Sequence, residues 1–464
     1  MPGENKQYEP FVMVSFTLLV LLLLSLTESR FQIGSYETRK VNVLSEIARK
    51  SVLEKACFVE LKTQPDSSAF HHSMPLLPEE KKDYPGIVQF CADSSGGGLA
   101  RFFSALSGLG KTRKKVRVAY FGDSMIEGDL ITQDVRDRFQ SRFGGDGVGF
   151  MPVTSIVAGF RQSIIHAFSD NWKDYTLLDN VPSEHGLGIT GHTFVPSLSE
   201  TDSSQTPPSW VRFAPVGRRH LNKFPNVYLY YGRSDAKNLL LFHNDKAIPL
   251  DGGTAVNQLL LNPKPVAGFT ASFQVHSKLN VYGFSMESDS GLILDNFSFR
   301  GNSGMPLTKM PFSVLSGLNK YLQYDLIILQ YGVNVVNPTT TDFSWYERGM
   351  IEVVRHLQNC FPGASILVIG AGDKSTRMEG KYETDPSLPA VVAAQRRVAQ
   401  TTHASFWNFY EAMGGEGSMV KWVTGDTVYA NSDYTHFNFR GASRVGTLLY
   451  NYLISEYQKS QKAG

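Results

Sequence analysis

The feature that most constrains this chain is an alternation of short apolar runs with longer amphipathic ones, split in two by a long stretch of strand patterns. "VRVAYFG" (116–122) reads as a buried strand, preceded by a short helix over Leu99–Leu109 and followed by a helix from about Asp129 to Phe143 that Gly144 and Gly145 stop. Further on, "YDLIILQYG", "WYERGMIEVVRHLQNC", "ASILVIGAG" and "LPAVVAAQRRVAQ" read as strand, helix, strand, helix, and an amphipathic helix closes the chain over about Gly441–Tyr457. Strands separated by helices make βαβ units, so their strands lie parallel and helices cover both faces of the sheet.

The interruption, 155–289, has another character. Runs such as "WVRFAPV", "NVYLYYG", "NLLLFHN", "FTASFQVH" and "LNVYGFSM" are separated by Gly, Pro, Asn and Asp turns, the pattern of an all-β, sandwich-like module. Its Trp210, Tyr228, Tyr230 and Tyr231 have the ring faces that stack on sugars, although aromatics on strands ordinarily serve as core or cross-strand pairs. The expected architecture is an α/β domain in two parts, 91–154 and 290–464, with the β-rich module between them.

The N-terminus adds a separate expectation. "PFVMVSFTLLVLLLLSLT" carries no charge between Glu9 and Glu28, a length near the lower limit for a helix crossing roughly 30 Å of hydrocarbon. With a weakly basic start and no Ala-x-Ala, it reads as an uncleaved signal anchor rather than a cleaved peptide. Residues 1–10 are then a short tail, 11–27 a transmembrane helix and 28–90 a stalk and entry segment with a charge-mixed helix over 37–62. On that reading the chain is held at a membrane with its bulk in the periplasm or cell envelope.

Lys plus Arg number 45 against 43 Asp plus Glu, and a net charge of +2 carries no footprint for nucleic acid. Cys57, Cys91 and Cys360 are too few for a disulfide framework or zinc site, leaving one Cys57–Cys91 bridge or three separate thiols. The histidines are dispersed and no H-E-x-x-H occurs. "ALSGLGKT" (105–112) approximates a phosphate-binding loop, but it begins with Ala105 and precedes a strand where such a loop must follow one.

Four segments carry the chemistry. "FGDSM" places Ser124 just beyond the first strand, "RGNSGM" brings Gly304 after the β module, "YGVN" puts Asn334 after the next strand, and "DYTHF" sets Asp433 three residues before His436. Loops following parallel strands share one sheet edge, so these segments can converge there. Acyl transfer needs a nucleophile, a base, a group that orients the base, and donors for the oxyanion. Ser124, His436 and Asp433 supply the first three. The backbone N–H groups of Ser124 and Gly304 and the amide of Asn334 supply the last.

The order and neighbourhood of these blocks resemble the SGNH hydrolases of the GDSL esterase family, and within them the bacterial polysaccharide and peptidoglycan O-acetylesterases. In that group a similar Gly-Asp-Ser start is followed by a run like "RFGGDGVGFMP", and a carbohydrate-binding β module interrupts the catalytic domain. The likeness extends to "FWNFYEAMGGEGSMVKW" and covers about residues 90–460. It implies a flavodoxin-like parallel sheet and an esterase that removes short acyl groups from an envelope glycan without metal or organic cofactor. Two positions depart from the pattern. Val335 stands where Asp or Glu usually follows the third block, and Met125 follows the nucleophile where a polar residue is common. The same site residues fit two other roles: an O-acetyltransferase working beside an integral-membrane acyltransferase partner, and a glycan-binding protein with an inactive site.

Overall fold

The computed structural model describes residues 32–33, 36–37, 87–89, 98–199, 207–243 and 246–463. The chain divides into two compact units, 1–81 and 82–464. In the first, the described residues are an antiparallel pairing of Gln32–Ile33 with Tyr36–Glu37.

The second unit is built on a parallel sheet of β1 (Lys115–Gly122), β2 (Gly291–Ser298), β3 (Leu326–Gln330), β4 (Ser365–Ile369) and β5 (Ser405–Trp407). Their order is β2-β1-β3-β4-β5, with Val88–Gln89 added antiparallel beyond β5. This is the flavodoxin-like order, whose direction of winding reverses between β1 and β3. Along β1, Ala119 and Phe121 face one core and Val116, Val118 and Tyr120 the other, as the two-residue period of a strand requires. The first core is closed by α3 (Phe312–Leu322), α4 (Ser344–Cys360) and α5 (Leu388–Thr401). The second is closed by α1 (Ala100–Gly108), α2 (Thr132–Phe143) and α6 (Phe439–Ala463).

Between α2 and β2 the chain builds two antiparallel sheets. One contains Lys173–Thr176, His192–Val195, Asn226–Tyr231, Asn257–Leu260, Val281–Glu287 and the short Gly149–Met151; the other contains Ile165–Phe168, Ser209–Ala214, Leu239–Phe242, Lys246–Pro249 and Phe269–Gln274. They share a core of Phe213, Phe269, Phe273 and Phe284 among others. The β module therefore starts earlier than the 155 expected, because Gly149–Met151 already pairs with Val281–Glu287. Tyr230 and Tyr231 are buried, with hydroxyls bonded to Gln258 and to the Asp251 carbonyl, so neither offers a ring to a ligand.

A buried ionic cluster joins module to sheet. Arg117 on β1 pairs through Nε with Asp295 Oδ2 on β2 at 2.7 Å and through Nη1 with Glu287 at the end of the module's last strand. Asp295 also accepts from Phe150 N at 2.7 Å and from the Tyr324 hydroxyl at 2.6 Å. Burial pushes Glu287 up, but Arg117 and Lys115 outweigh it and hold the carboxylate down at about 2.

The expected membrane-spanning helix is corrected. Among the described residues no helix is long and apolar enough to cross a membrane; residues 11–27 lie outside them. The expected stalk helix, Cys57 and Cys91 also lie outside the described residues, whereas Cys360 is a free, buried thiol.

Candidate active site

β1 ends at Gly122, and Asp123 caps the tight turn that follows by accepting Met125 N–H on Oδ1 at 3.0 Å. Ser124 thus opens a short 3₁₀ segment, Ser124–Asp129, that is broken by non-helical backbone at Glu127 and Gly128. The expected helix starts later than Asp129, at Thr132. Asp129 is instead buried as an acceptor for Arg136, with Nη1 and Nη2 at 2.7 and 2.8 Å. Asp129 and Ile131 both take positive φ, at 70° and 63°. For a β-branched residue that backbone is strained, a cost typical of loops held for function.

Ser124 Oγ lies 2.8 Å from His436 Nε2, and His436 Nδ1 lies 2.8 Å from Asp433 Oδ2. With Nδ1–H donating to the carboxylate, Nε2 is left as the acceptor for the serine hydroxyl. Asp433 Oδ1 takes the N–H groups of Thr435 and His436, each at 3.0 Å, so the carboxylate both closes its own turn and orients the imidazole. Partial burial pushes Asp433 up, but the His436 N–H, its ring and the Thr435 N–H bring it below the usual carboxylate range. Tyr434, between the two, sits at φ 54°.

The other two blocks arrive at the same place. Asn334, in the turn after β3, donates from Nδ2 to Asp123 Oδ2 at 3.0 Å and to the Asn302 carbonyl at 3.1 Å. Gly304, in the loop after β2, donates its N–H to Asn302 Oδ1 at 2.8 Å. Both expected oxyanion donors therefore already have partners within the protein, and a carbonyl entering the site must share or displace those bonds. Gly304 has φ 94°, and a Cβ there would lie 2.9 Å from Met350 Sδ and 3.0 Å from the Tyr331 ring, so the position admits no side chain without rearrangement.

Asp123 and Asn302 were not singled out from sequence. Both are buried polar residues beside a block residue, and burial is the signal that sequence lacks. Burial is the largest influence on Asp123 and lifts its carboxyl to about 7, against the pull of Met125 N–H, His436 and Asn334. Exposed aromatics border the site. Phe160 covers Gly128 and stacks on Phe439 at 5.1 Å, three residues beyond His436. Arg300 is tied through Nε to Glu127 at 2.8 Å. Among the described residues no group of three or more His, Cys, Asp or Glu is placed to hold a metal ion. A cavity of about 680 Å³ lies elsewhere, between module loops at Arg233, Asp235 and Lys278 and the start of α3 at Ser313, away from Ser124.

No protein-family model matches the chain, and no curated protein matches it in sequence. A solved peptidoglycan O-acetylesterase overlays with a TM-score of 0.64 and 21% identity, covering 80% of this chain and 99% of that one. The chain has the fold of a peptidoglycan O-acetylesterase. A family two carbohydrate esterase from Cellvibrio japonicus overlays at a TM-score of 0.24 with 10% identity, over 64% of this chain and 98% of that one. An acetyl xylan esterase overlays at 0.27 with 18% identity, over 34% and 80%. Overlays that weak carry no weight for this chain.

Proposed function

We propose that this protein is a serine esterase that removes O-acetyl groups from a polysaccharide of the cell envelope, with Ser124 as nucleophile, His436 as base and Asp433 orienting it. The observation that carries the reading is the unbroken relay Ser124–His436–Asp433, 2.8 Å at each link, at the switch point of a flavodoxin-like sheet. The O-acetylesterase fold supports the substrate class.

Ser124 Oγ attacks the acetyl carbonyl while its proton passes to His436 Nε2. The tetrahedral intermediate collapses as His436 protonates the departing sugar oxygen, which leaves as a hydroxyl, giving an acetyl-enzyme and a free glycan. Water then attacks the acetyl group, His436 takes its proton, and acetate leaves as the proton returns to Ser124 Oγ. The oxyanion of each step faces the N–H groups of Ser124 and Gly304 and the Asn334 amide.

The same relay would also serve transfer of the acetyl group to a second sugar; acetate release rather than acetylated sugar as the product favours hydrolysis. The test is acetate release by the full chain from 4-nitrophenyl acetate and from O-acetylated peptidoglycan. Ser124→Ala should lower both by at least about 10³-fold. Turnover unchanged in that variant would refute the mechanism, and acetate released from 4-nitrophenyl acetate alone would refute the substrate.

A further inference from the structure

Beyond β4 the chain leaves the sheet as an antiparallel hairpin, Ser375–Met378 with Lys381–Thr384, turning at Glu379 and Gly380 where φ is 47° and 86°. It rises from the sheet edge that carries Ser124 and Asn334, since the loops after parallel strands share that edge. Its base is fastened to the loops of the site. Ser375 N–H donates to the Tyr434 carbonyl at 3.0 Å, and Lys374 Nζ to the Val333 carbonyl at 3.3 Å. Tyr434 follows Asp433, and Val333 precedes Asn334.

On the hairpin, Tyr382 lays its ring flat on Tyr434, with centroids 3.7 Å apart and planes 8° from parallel. Two four-residue strands do not hold themselves together in water, so this stack and the base contacts set the hairpin's position. Yet Tyr382 remains 40% exposed although Tyr434 covers one face of its ring. The stack is a flat apolar platform, rigidly placed one residue from the group that orients His436.

We propose that the exposed ring of Tyr382 is a sugar-stacking subsite that holds a glycosyl unit neighbouring the one whose acetyl ester meets Ser124. This rests on the glycan esterase reading above. A phenol ring presents its electron-rich face to the polarised C–H groups of a pyranose, which is the chemistry a flat neutral ring recognises. The patch is a single ring on a hairpin whose Arg377, Glu379, Lys381 and Glu383 are exposed and charged. It is far too small for a protein partner, whose stable contacts cover roughly 800 Å² per side. Arg377 is the cross-strand partner of Tyr382 and adds hydrogen-bond donors for the sugar hydroxyls beside the platform.

The test compares wild type, Tyr382→Ala and Tyr382→Phe as full chains, measuring kcat/KM on O-acetylated glycan strands released from peptidoglycan and on 4-nitrophenyl acetate, which has no sugar. Tyr382→Ala should lower the ratio of glycan to small-ester kcat/KM roughly tenfold, mostly through KM on the glycan, the size of a ring contact worth on the order of 1.4 kcal/mol. Tyr382→Phe should keep the ratio within about twofold of wild type, because the ring face remains. If Tyr382→Ala lowers both substrates equally, the ring only positions the Asp433–His436 loop and the subsite is overturned while the esterase reading stands. An unchanged ratio overturns it too. Wild type that hydrolyses 4-nitrophenyl acetate but no glycan strand overturns the glycan reading and the subsite together.

Discussion

Asp123→Asn should leave the protein more stable and less active at pH 8. Asp123 is fully buried, and that burial lifts its carboxyl from 3.8 to about 7. Roughly three pKa units at about 1.36 kcal/mol each is on the order of 4 kcal/mol of penalty for the charged form. The sign follows from linkage. The folded protein binds this proton more tightly than the unfolded chain, so between pH 3.8 and about 7 stability falls as pH rises, and at pH 8 the full cost is present. Asparagine has the same shape without the charge. It offers one acceptor oxygen where Asp123 has two, however, so either Met125 N–H or Asn334 Nδ2 faces an amide hydrogen, at a cost of about 1–3 kcal/mol. The net gain at pH 8 is then about 1–3 kcal/mol, and it shrinks toward pH 4, where Asp123 is itself neutral. Activity moves the other way. An Asn334 amide without its acceptor no longer points steadily at the oxyanion, and loss of one such donor lowers kcat by about 10²–10³. Urea midpoints for both proteins at pH 4, 6 and 8, with kcat on 4-nitrophenyl acetate at pH 8, test both halves. Stability curves that run parallel from pH 4 to 8 would refute the burial argument, and an unchanged kcat would refute the orienting role.

Two other substitutions probe the same edge. Gly304→Ala forces a Cβ to within 3.0 Å of the Tyr331 ring at a φ of 94°; it should displace the loop and lower kcat by about 10²-fold or more while KM for 4-nitrophenyl acetate changes little. Asp433→Asn keeps the shape but removes the charge that fixes the His436 tautomer. Its kcat should fall by about 10²–10⁴, and a loss below about fivefold would show that the turn, rather than the carboxylate, orients the ring.

Much of this architecture is legible in the sequence because burial on both faces leaves an unmistakable trace. "YDLIILQYG" and "ASILVIGAG" are continuous apolar runs, and both are strands of the parallel sheet. Ser124, Asn334, Asp433 and His436 each follow a strand or turn that pattern alone locates; in the structure Ser124, His436 and Asp433 are joined by hydrogen bonds, and Asn334 is bonded to Asp123, the residue before Ser124. Charged residues inside the core left no such trace. Arg117, the charge within "KVRVAYFG", is 1% exposed, because carboxylate partners from 170 and 178 positions downstream meet it inside the core. The start of α2 was misplaced for the same reason: Asp129 looks like a helix-initiating acid but is clamped by Arg136. The Tyr382 hairpin leaves no trace in the sequence because its residues are mostly polar and its anchors, the ring of Tyr434 and the carbonyls of Val333 and Tyr434, lie about forty to sixty positions away.

The Arg117 cluster also bears on how the module and the site depend on each other. The module's last strand, Val281–Glu287, runs directly into β2, and β2 delivers Asn302 and Gly304 to the nucleophile. The module is thus built into the strand that carries part of the site rather than hung from it. Arg117→Met removes the only guanidinium between Glu287 and Asp295 among the described residues, and stranding buried carboxylates costs about 3–5 kcal/mol. Its pH dependence separates this from a simple packing defect. In the wild type Glu287 is held at about 2, below its ordinary 4.5, so its contribution is complete above pH 4.5 and is lost only as pH falls toward 2. Without Arg117 the desolvation that remains raises the Glu287 carboxyl instead, which makes the folded state bind that proton more tightly and lowers stability as pH rises above about 4.5. The deficit of Arg117→Met relative to wild type should therefore be larger at pH 8 than at pH 5. Loss of esterase activity should precede global unfolding in urea, because the loop carrying Gly304 hangs from the strand that the cluster fixes. A deficit equal at the two pH values would mean that Lys115 and Tyr324 suffice to satisfy the two carboxylates, and the module would then be held to the sheet by its apolar contacts alone.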